Sequence, residues 1–331
     1  MSVQITIIGL GQVGSSIGLA LKERGLSIHR VGHDKDPHVA KTALQMGAVD
    51  EFKYNLPASV RDAQIILLAL PLSGIRETLE VIAPDLREDV VILDTAPAKT
   101  QVAAWVKELI PQGRHYVGLS PAAGSGYLHG TDLGVASARA DLFKNGCFMI
   151  NAPHGTPGEA VKLATDLVHL LGAQALLSDS FEVDGLLASA HILPQLAAAA
   201  LLDATVNQPG WREASKLASR PYATATAALA YHDELRSLSE AALGNRENVV
   251  RMLDTYIASL QKLRNEIADG DDKSMLELLD EALKSREQWL QERSAGKWQD
   301  LSQGRVEAQS FGERLNQMFF GRLFEREKKR R

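Results

Sequence analysis

A glycine-rich segment near the start of the chain constrains the fold more than any other feature. An apolar run over residues 4–8 leads straight into it, and a predicted helix begins at Gln12. The first glycine allows a tight turn, the second lets the backbone approach a pyrophosphate, and the third permits close contact between strand and helix. The unpaired N–H groups of the first helical turn add partial positive charge. We therefore predict a dinucleotide-binding loop formed by Gly9, Leu10, Gly11, Gln12, Val13 and Gly14.

An acidic residue follows the second predicted strand at the spacing that such a loop requires. Asp34 lies about 20 residues beyond Gly14, the separation expected for a carboxylate that binds the adenosine ribose hydroxyls. Because that carboxylate would repel a 2′-phosphate, NAD is favoured over NADP. The neighbours His33 and Lys35 weaken the preference without reversing it.

Short apolar runs alternate with amphipathic stretches up to about Ser178, the pattern of βαβ units in a parallel sheet. Ligands of such sheets bind at the carboxyl ends of the strands. We therefore expect two strand ends to contribute to the cofactor site, Ala69-Leu70-Pro71 through its backbone and Asp94-Thr95 through polar groups. Asp94 has an alternative role as the cap of the helix that follows it. The predicted strands are 4–8, 29–32, 63–69, 90–93, 116–119, 147–150 and 173–177, and helices are expected to begin near residues 12, 37, 72, 100 and 157.

The second half of the chain has a different composition. Beyond about Asp179, runs of β-branched residues disappear, and Ala, Leu, Glu, Lys and Arg dominate. We predict an α/β protein with an N-terminal doubly wound parallel sheet over residues 1–178, an all-α domain over 179–296 and a charged tail over 297–331. One helix is expected over 181–207 with a kink near Pro194, and two more over 234–291 with a break at 268–271.

Net charge and cysteine content limit the binding partners, metal sites and cellular location that the chain can have. The chain has 331 residues and a formal net charge of −5, the wrong sign for a protein that neutralises many phosphates, so nucleic acid is not an expected partner. The single cysteine, Cys147, rules out an internal disulfide and a cysteine-rich metal site, and no metal is expected. We expect a reducing, cytoplasmic location and no membrane span. The apolar stretch 186–202 is shorter than a span, and we interpret it as a buried helix at a homodimer interface.

The order of motifs resembles the prephenate/arogenate dehydrogenase family of tyrosine biosynthesis. The resemblance rests on GLGQVGSSIGLAL at the start, the acid of GHDKD, LALP, DTAPAK in place of D-x-x-S-x-K, VGLSPAAG in place of VGxHPxAG, and AHILPQ in the helical half. It implies a Rossmann domain, a helical domain that forms a dimer, and NAD(P)-dependent oxidative decarboxylation of a cyclohexadienyl carboxylate.

Three polar positions depart from the family pattern. Ser120 stands where the resemblance implies the catalytic histidine, Pro97 replaces a serine, and Lys216 replaces an arginine that would bind the ring carboxylate. A serine hydroxyl without a neighbouring base cannot accept a proton at neutral pH, so Ser120 is expected only to orient the substrate. Another base is required. His191, in AHILPQ, is the first candidate, with a core or interface histidine as the alternative, and His129 is the second.

A row of cations in the helical half provides a candidate carboxylate site. Arg212, Lys216 and Arg220 recur every four residues, which predicts one face of a helix that ends at Pro221. Arg212 and Lys216 are expected to hold a small carboxylate substrate, although Lys lacks the two-pronged geometry of Arg. The alternative is a solvated basic face. For the whole protein, two alternatives remain, another hydroxyacid dehydrogenase with this architecture and an NAD-binding regulatory protein without turnover.

Overall fold

The structure is a computed structural model that describes residues 3–130, 132–231, 235–296 and 298. Its strands are β1 Val3–Ile8, β2 Ile28–His33, β3 Glu51–Phe52, β4 Ile65–Leu68, β5 Val91–Asp94, β6 His115–Ala122, β7 Cys147–Asn151 and β8 Gln174–Leu177. The helices that accompany the strands are α1 Gln12–Glu23, α2 Pro37–Met46, α3 Leu56–Val60, α4 Leu72–Ile82, α5 Lys99–Leu109 and α6 Gly158–Leu170. The helices that follow are α7 Ser180–Leu187, α8 Leu193–Val206, α9 Trp211–Leu217, α10 Arg220–Thr226, α11 Leu235–Gly244, α12 Arg246–Asp269 and α13 Asp272–Ala295.

The described strands form one eight-stranded sheet in the order β3-β2-β1-β4-β5-β6-β7-β8. All neighbouring strands are parallel except β6 and β7, which are antiparallel. The predicted doubly wound parallel sheet is confirmed, with one antiparallel pair, β6 and β7, within it. The strand order reverses between β1 and β4, which is the switch point where such sheets bind ligands.

Burial of apolar side chains on both faces explains the continuous hydrophobic runs of the central strands. On one face, Ile5, Ile7 and Leu67 pack in a core with helix residues such as Ala20 and Leu167. The other face buries residues such as Ile8, Ile66 and Leu68, each at most 2% exposed. Among the strands and α-helices of the first half of the chain, the two-residue strand β3 and the short helix α3 were not predicted, because neither is long enough to show a period.

The described residues divide into two compact units, one comprising residues 3–183 and position 298, and the other residues 184–296. The boundary at 178/179 stays a prediction, and the predicted tail 297–331 lies outside the described residues except for position 298. In the second unit, the predicted break at 268–271 is confirmed. Gly270 ends α12 in the left-handed region with φ 66°, and the Asp271 side chain accepts a hydrogen bond from the N–H of Ser274 to cap α13. A further break at Asn245 separates α11 from α12.

The predicted kink near Pro194 is a turn of π-helix over Ala188–Ile192. Proline has no N–H to bond the carbonyl four residues earlier, and its ring crowds that carbonyl. A π-turn is one of the known causes of a helix kink, and here it lies directly before the helix that has Pro194 in its first turn. The side-chain amide of Gln195 donates to the carbonyl oxygen of His191 at 2.7 Å, which gives this carbonyl a hydrogen-bond partner within the altered turn.

Candidate functional site

The glycine loop joins the end of β1 to the start of α1 and has little room for side chains. Gly9 has φ +90°, and a Cβ there would lie 2.3 Å from the carbonyl oxygen of Ala69. A Cβ on Gly14 would lie 2.0 Å from the carbonyl oxygen of Gly9. Around Gly11, by contrast, no described residue other than its chain neighbours has an atom within 4 Å of the position a Cβ would take. The loop is therefore packed tightly behind Gly9 and Gly14 and open in front of Gly11, which suits the approach of a diphosphate.

Asp34 is held beside this loop by two backbone donors. Its Oδ2 accepts a hydrogen bond from the N–H of Leu10 at 2.7 Å, and its Oδ1 accepts from the N–H of Asp36 at 2.9 Å. The side chain is half-buried at the end of β2. The structure thus brings together the loop and the acid that the sequence placed about 20 residues apart.

The segment Ala69-Leu70-Pro71 lies against the glycine loop. The N–H of Ala69 donates to the carbonyl of Ile8 at 2.8 Å, and Pro71 is the N-cap of α4. The side chain of Gln12 contacts the loop that follows β6. Its amide donates to the carbonyl of Asp132 at 3.2 Å, which connects that loop to the start of α1.

At the end of β5, Asp94 belongs to a buried polar cluster that the sequence did not predict. Asp94 and Lys99 are both 0% exposed, and their charged groups lie 2.9 Å apart. The hydroxyl of Tyr116 donates to the other carboxylate oxygen at 2.6 Å, and the N–H of Ala96 donates to the first at 2.8 Å. The sequence signal that could have indicated this cluster is a lysine five residues after an acidic residue at the end of a strand.

The helix-cap alternative for Asp94 is wrong. Helix α5 begins at Lys99 with Ala98 at the N-cap and no capping side chain. The contribution of Asp94 to cofactor binding stays a prediction, and the carboxylate itself faces Lys99 and Tyr116. Thr95 continues the sheet pairing, since its N–H donates to the carbonyl of Leu68 at 3.0 Å.

Ser120 lies on β6 and is 7% exposed. Its Oγ is buried and has no hydrogen-bond partner among the described residues. His129 is exposed in the loop after a 3-10 turn at Ser125–Tyr127. The described part of the first unit places no imidazole on β6 beside Ser120, because positions 115–122 contain a histidine only at the opposite end, His115.

In the second unit, His191 lies on the π-helical turn and is exposed. The turn widens the helix at this residue, and π-turns occur frequently at functional sites. Its role as a base stays a prediction.

The basic row is divided between two helices. Arg212 and Lys216 lie on α9, which ends at Leu217, whereas Arg220 is the first residue of α10. The expectation that all three share one helix ending at Pro221 is wrong, because Pro221 lies in the first turn of α10, where its missing N–H costs nothing. Both cations of α9 are exposed, and Lys216 Nζ pairs with Glu213 at 2.5 Å.

The apolar stretch around 186–202 is not buried within its own chain. Helix Ser180–Val206 is long and apolar enough to cross a membrane by length and composition, with a mean hydropathy of 1.6. Only 22% of its most apolar window is buried within the single chain, so burial of this helix at a homodimer interface stays a prediction. A helix that packs against a partner subunit meets the same criteria.

Among residues 3–130, 132–231, 235–296 and 298, no group of three His, Cys, Asp or Glu side chains is placed to hold a metal ion.

The sheet order, the glycine loop and the acid beside it define a Rossmann-type dinucleotide-binding protein with a helical second unit. Comparison with known families is more specific. Residues 17–177 match the family described as prephenate dehydrogenase, nucleotide-binding domain, and residues 179–281 match its dimerization domain. The two matches span most of the chain, which therefore belongs to the prephenate dehydrogenase family.

Individual relatives agree with this membership. The chain is 28% identical to the cyclohexadienyl dehydrogenase of Zymomonas mobilis over 85% of its own length and 94% of that protein. It is 25% identical to the prephenate dehydrogenase of Bacillus subtilis, over 83% of its length and 73% of that protein. The solved prephenate dehydrogenase of Aquifex aeolicus with hydroxyphenyl propionate and NAD+ has the same fold, with a TM-score of 0.76 at 21% identity, over 87% of this chain and 98% of that one.

Proposed function

We propose that the protein is an NAD-dependent dehydrogenase that oxidises the ring hydroxyl of a cyclohexadienyl carboxylate, prephenate or arogenate, with loss of CO2. The observation that carries the proposal is the hydrogen bond between Leu10 and Asp34, which sets the acid of a dinucleotide site against its glycine loop. Membership of the family and the names of the relatives supply the substrate class.

The cofactor site is assigned to residues whose geometry fits a dinucleotide. The open backbone at Gly11 and the start of α1 face the diphosphate, and Asp34 binds the adenosine ribose. The carboxylate of Asp34 favours NAD over NADP by repelling a 2′-phosphate. The segment Ala69-Leu70-Pro71 lines the site with its backbone. When bound, the nicotinamide ring supplies the hydride acceptor.

On the substrate side, three roles are assigned. Ser120 orients the substrate, since an unassisted hydroxyl cannot act as a base. Arg212 and Lys216 attract the carboxylate, with Lys216 as a point charge. His191 accepts the hydroxyl proton during oxidation, a task for which an imidazole is suited near neutral pH. Aromatisation of the ring then drives the loss of CO2.

Two measurements test the proposal. Calorimetry with NAD+, NADH and NADP+ tests the cofactor site, and absence of binding to any dinucleotide would refute it. Turnover is then measured as NADH formation with prephenate, arogenate and a panel of 2- and 3-hydroxy acids. Reduction of NAD+ by prephenate or arogenate is the expected result, and His191→Ala should lower kcat by about 100-fold or more. Reduction by a hydroxy acid alone would contradict the proposed substrate class.

The departures at catalytic positions favour one second candidate, an NAD-binding regulatory protein without turnover. The observation behind it is the serine at position 120, whose Oγ is buried and has no base beside it among the described residues of β6. Tight NADH binding, no turnover with either ring acid and no effect of His191→Ala would support this candidate.

We also assign a homodimer to the helical domain and a cytoplasmic location. The matched dimerization domain covers residues 179–281, and the apolar helix around 186–202 is mostly uncovered in a single chain. A partner copy that packs against this helix removes its apolar surface from water. Light scattering should give twice the 35.9 kDa chain mass, and a monomer at micromolar concentration would contradict the assignment.

A further inference from the structure

Asn151 is a buried amide that neither the sequence patterns nor the proposed mechanism uses. It is the last residue of β7 and is 1% exposed. In the antiparallel pair β6–β7 it lies opposite Gly118, and Met149 lies opposite Ser120. Paired residues, and residues two apart along a strand, point to the same face of a sheet. Asn151 and Ser120 therefore share one face.

The amide of Asn151 has a partner on one side only. Its Nδ2 donates to the hydroxyl oxygen of Ser180 at 2.9 Å. Its Oδ1 is buried and has no hydrogen-bond partner among the described residues. Reversing the amide would turn the NH2 group to the same place, so one polar atom of the side chain is left to face a ligand in either orientation.

The unpartnered oxygen lies over Gly118, where the chain leaves room for it. A Cβ on Gly118 would lie 2.5 Å from Asn151 Oδ1 and 2.9 Å from Lys99 Cδ. Asp94, the last residue of β5, pairs with Gly118 on the other side. Asp94, Gly118 and Asn151 therefore lie side by side at the edge of the sheet where the parallel strands end and where ligands bind. The side chain of Lys99 lies against Gly118, and its charge pairs with that of Asp94.

Two unpartnered oxygens thus lie on one face of the sheet, Ser120 Oγ and Asn151 Oδ1. Leaving a buried polar group without a hydrogen bond is costly, and native proteins rarely do so without a bound water or ligand. A serine hydroxyl can donate, and so can the amide of Asn151 when its NH2 group faces Gly118 and its oxygen accepts from Ser180. A ligand hydroxyl can then accept from both side chains, which leaves its own proton for the base.

We propose that Asn151 is a specificity-determining residue that binds the ring hydroxyl of the substrate jointly with Ser120. The proposal rests on the proposed function and adds to it the residue that recognises the reacting group. Ser180, which holds the other end of the amide, acts as a positioning residue.

The test compares two probes that differ only in the hydroxyl, hydroxyphenylpropionate and phenylpropionate. Their affinities for the full chain are measured by calorimetry at saturating NAD+. The wild type should prefer the hydroxylated acid by about tenfold, the worth of one hydrogen bond. Asn151→Leu and Ser120→Ala should each reduce the preference to nearly one, and the double variant should reduce it no further. Thr165→Val, which removes a hydroxyl bonded within its own helix, is the matched control and should keep the preference.

The alternatives give different results. If Asn151→Leu keeps the tenfold preference, the proposal is wrong. It is also wrong if Asn151→Leu loses the preference together with NAD+ affinity and thermal stability while Ser120→Ala keeps the preference, because the amide is then only structural. If the wild type shows no preference, or binds neither acid, the two oxygens hold at most a water and the proposal is also wrong. Turnover of prephenate or arogenate by the same wild-type preparation shows separately whether the proposed function stands.

Discussion

Removal of Lys99 should destabilise the protein far more than removal of an ordinary lysine. Lys99 and Asp94 are both 0% exposed and pair at 2.9 Å. Lys99→Met leaves the Asp94 carboxylate buried without its counter-charge, although Tyr116 and the N–H of Ala96 still donate to it. Breaking a buried pair from one side costs about 3–5 kcal/mol. Tyr116→Phe removes one hydrogen bond to a charged acceptor and should cost about 1.5–3 kcal/mol.

The free energy of unfolding is measured by urea denaturation at neutral pH, with circular dichroism and fluorescence as two probes. Lys107→Met, at an exposed position on the same helix, is the control and should change stability by less than about 0.5 kcal/mol. The double variant Asp94→Leu/Lys99→Met removes both charges and should cost less than the sum of the single changes. The reasoning is refuted if Lys99→Met costs no more than Lys107→Met, or if the double variant costs the full sum.

Three further changes test other parts of the molecule. Gly14→Ala places a Cβ 2.0 Å from a backbone oxygen of the glycine loop and should weaken NAD+ binding at least tenfold in calorimetry, whereas Gly74→Ala, with open space around the new Cβ, should leave it unchanged. Lys216→Arg restores two-pronged geometry and should lower the KM for the ring acid with little change in kcat; an unchanged KM would remove Lys216 from the substrate site. Burial disfavours the carboxylate of Asp50, but hydrogen bonds and charge from Arg30 outweigh it and lower the pKa. The pair therefore stabilises the fold above the unfolded pKa of about 3.9, and this stabilisation is lost as pH falls through the lower folded pKa. Between pH 5 and 3, Asp50→Asn should lose less free energy of unfolding than the wild type, as measured by urea titrations.

The elements of the sheet could be predicted because their signals are local. Apolar runs of β-branched residues, the glycines of the first loop and Pro37 at a helix start each act within a few residues of themselves. The break at 268–271 belongs to the same class, since Gly270 and Asp271 end one helix and cap the next through their own backbone and side chain. The error at Arg220 came from taking Pro221 as the end of a helix, whereas it lies in the first turn of a new one, and from extending the four-residue period across the break at 218–219.

The amino-acid sequence by itself determined where the longer strands, the glycine loop and the acid that follows it lie, because each depends on neighbours along the chain. The tertiary structure alone decided that Lys99 neutralises Asp94 and that Asn151 shares a face with Ser120. These contacts depend on the register between β5, β6 and β7, and on the antiparallel direction of β7. No periodicity within one strand encodes the register of its neighbours, since that register is set by the packing of the whole sheet.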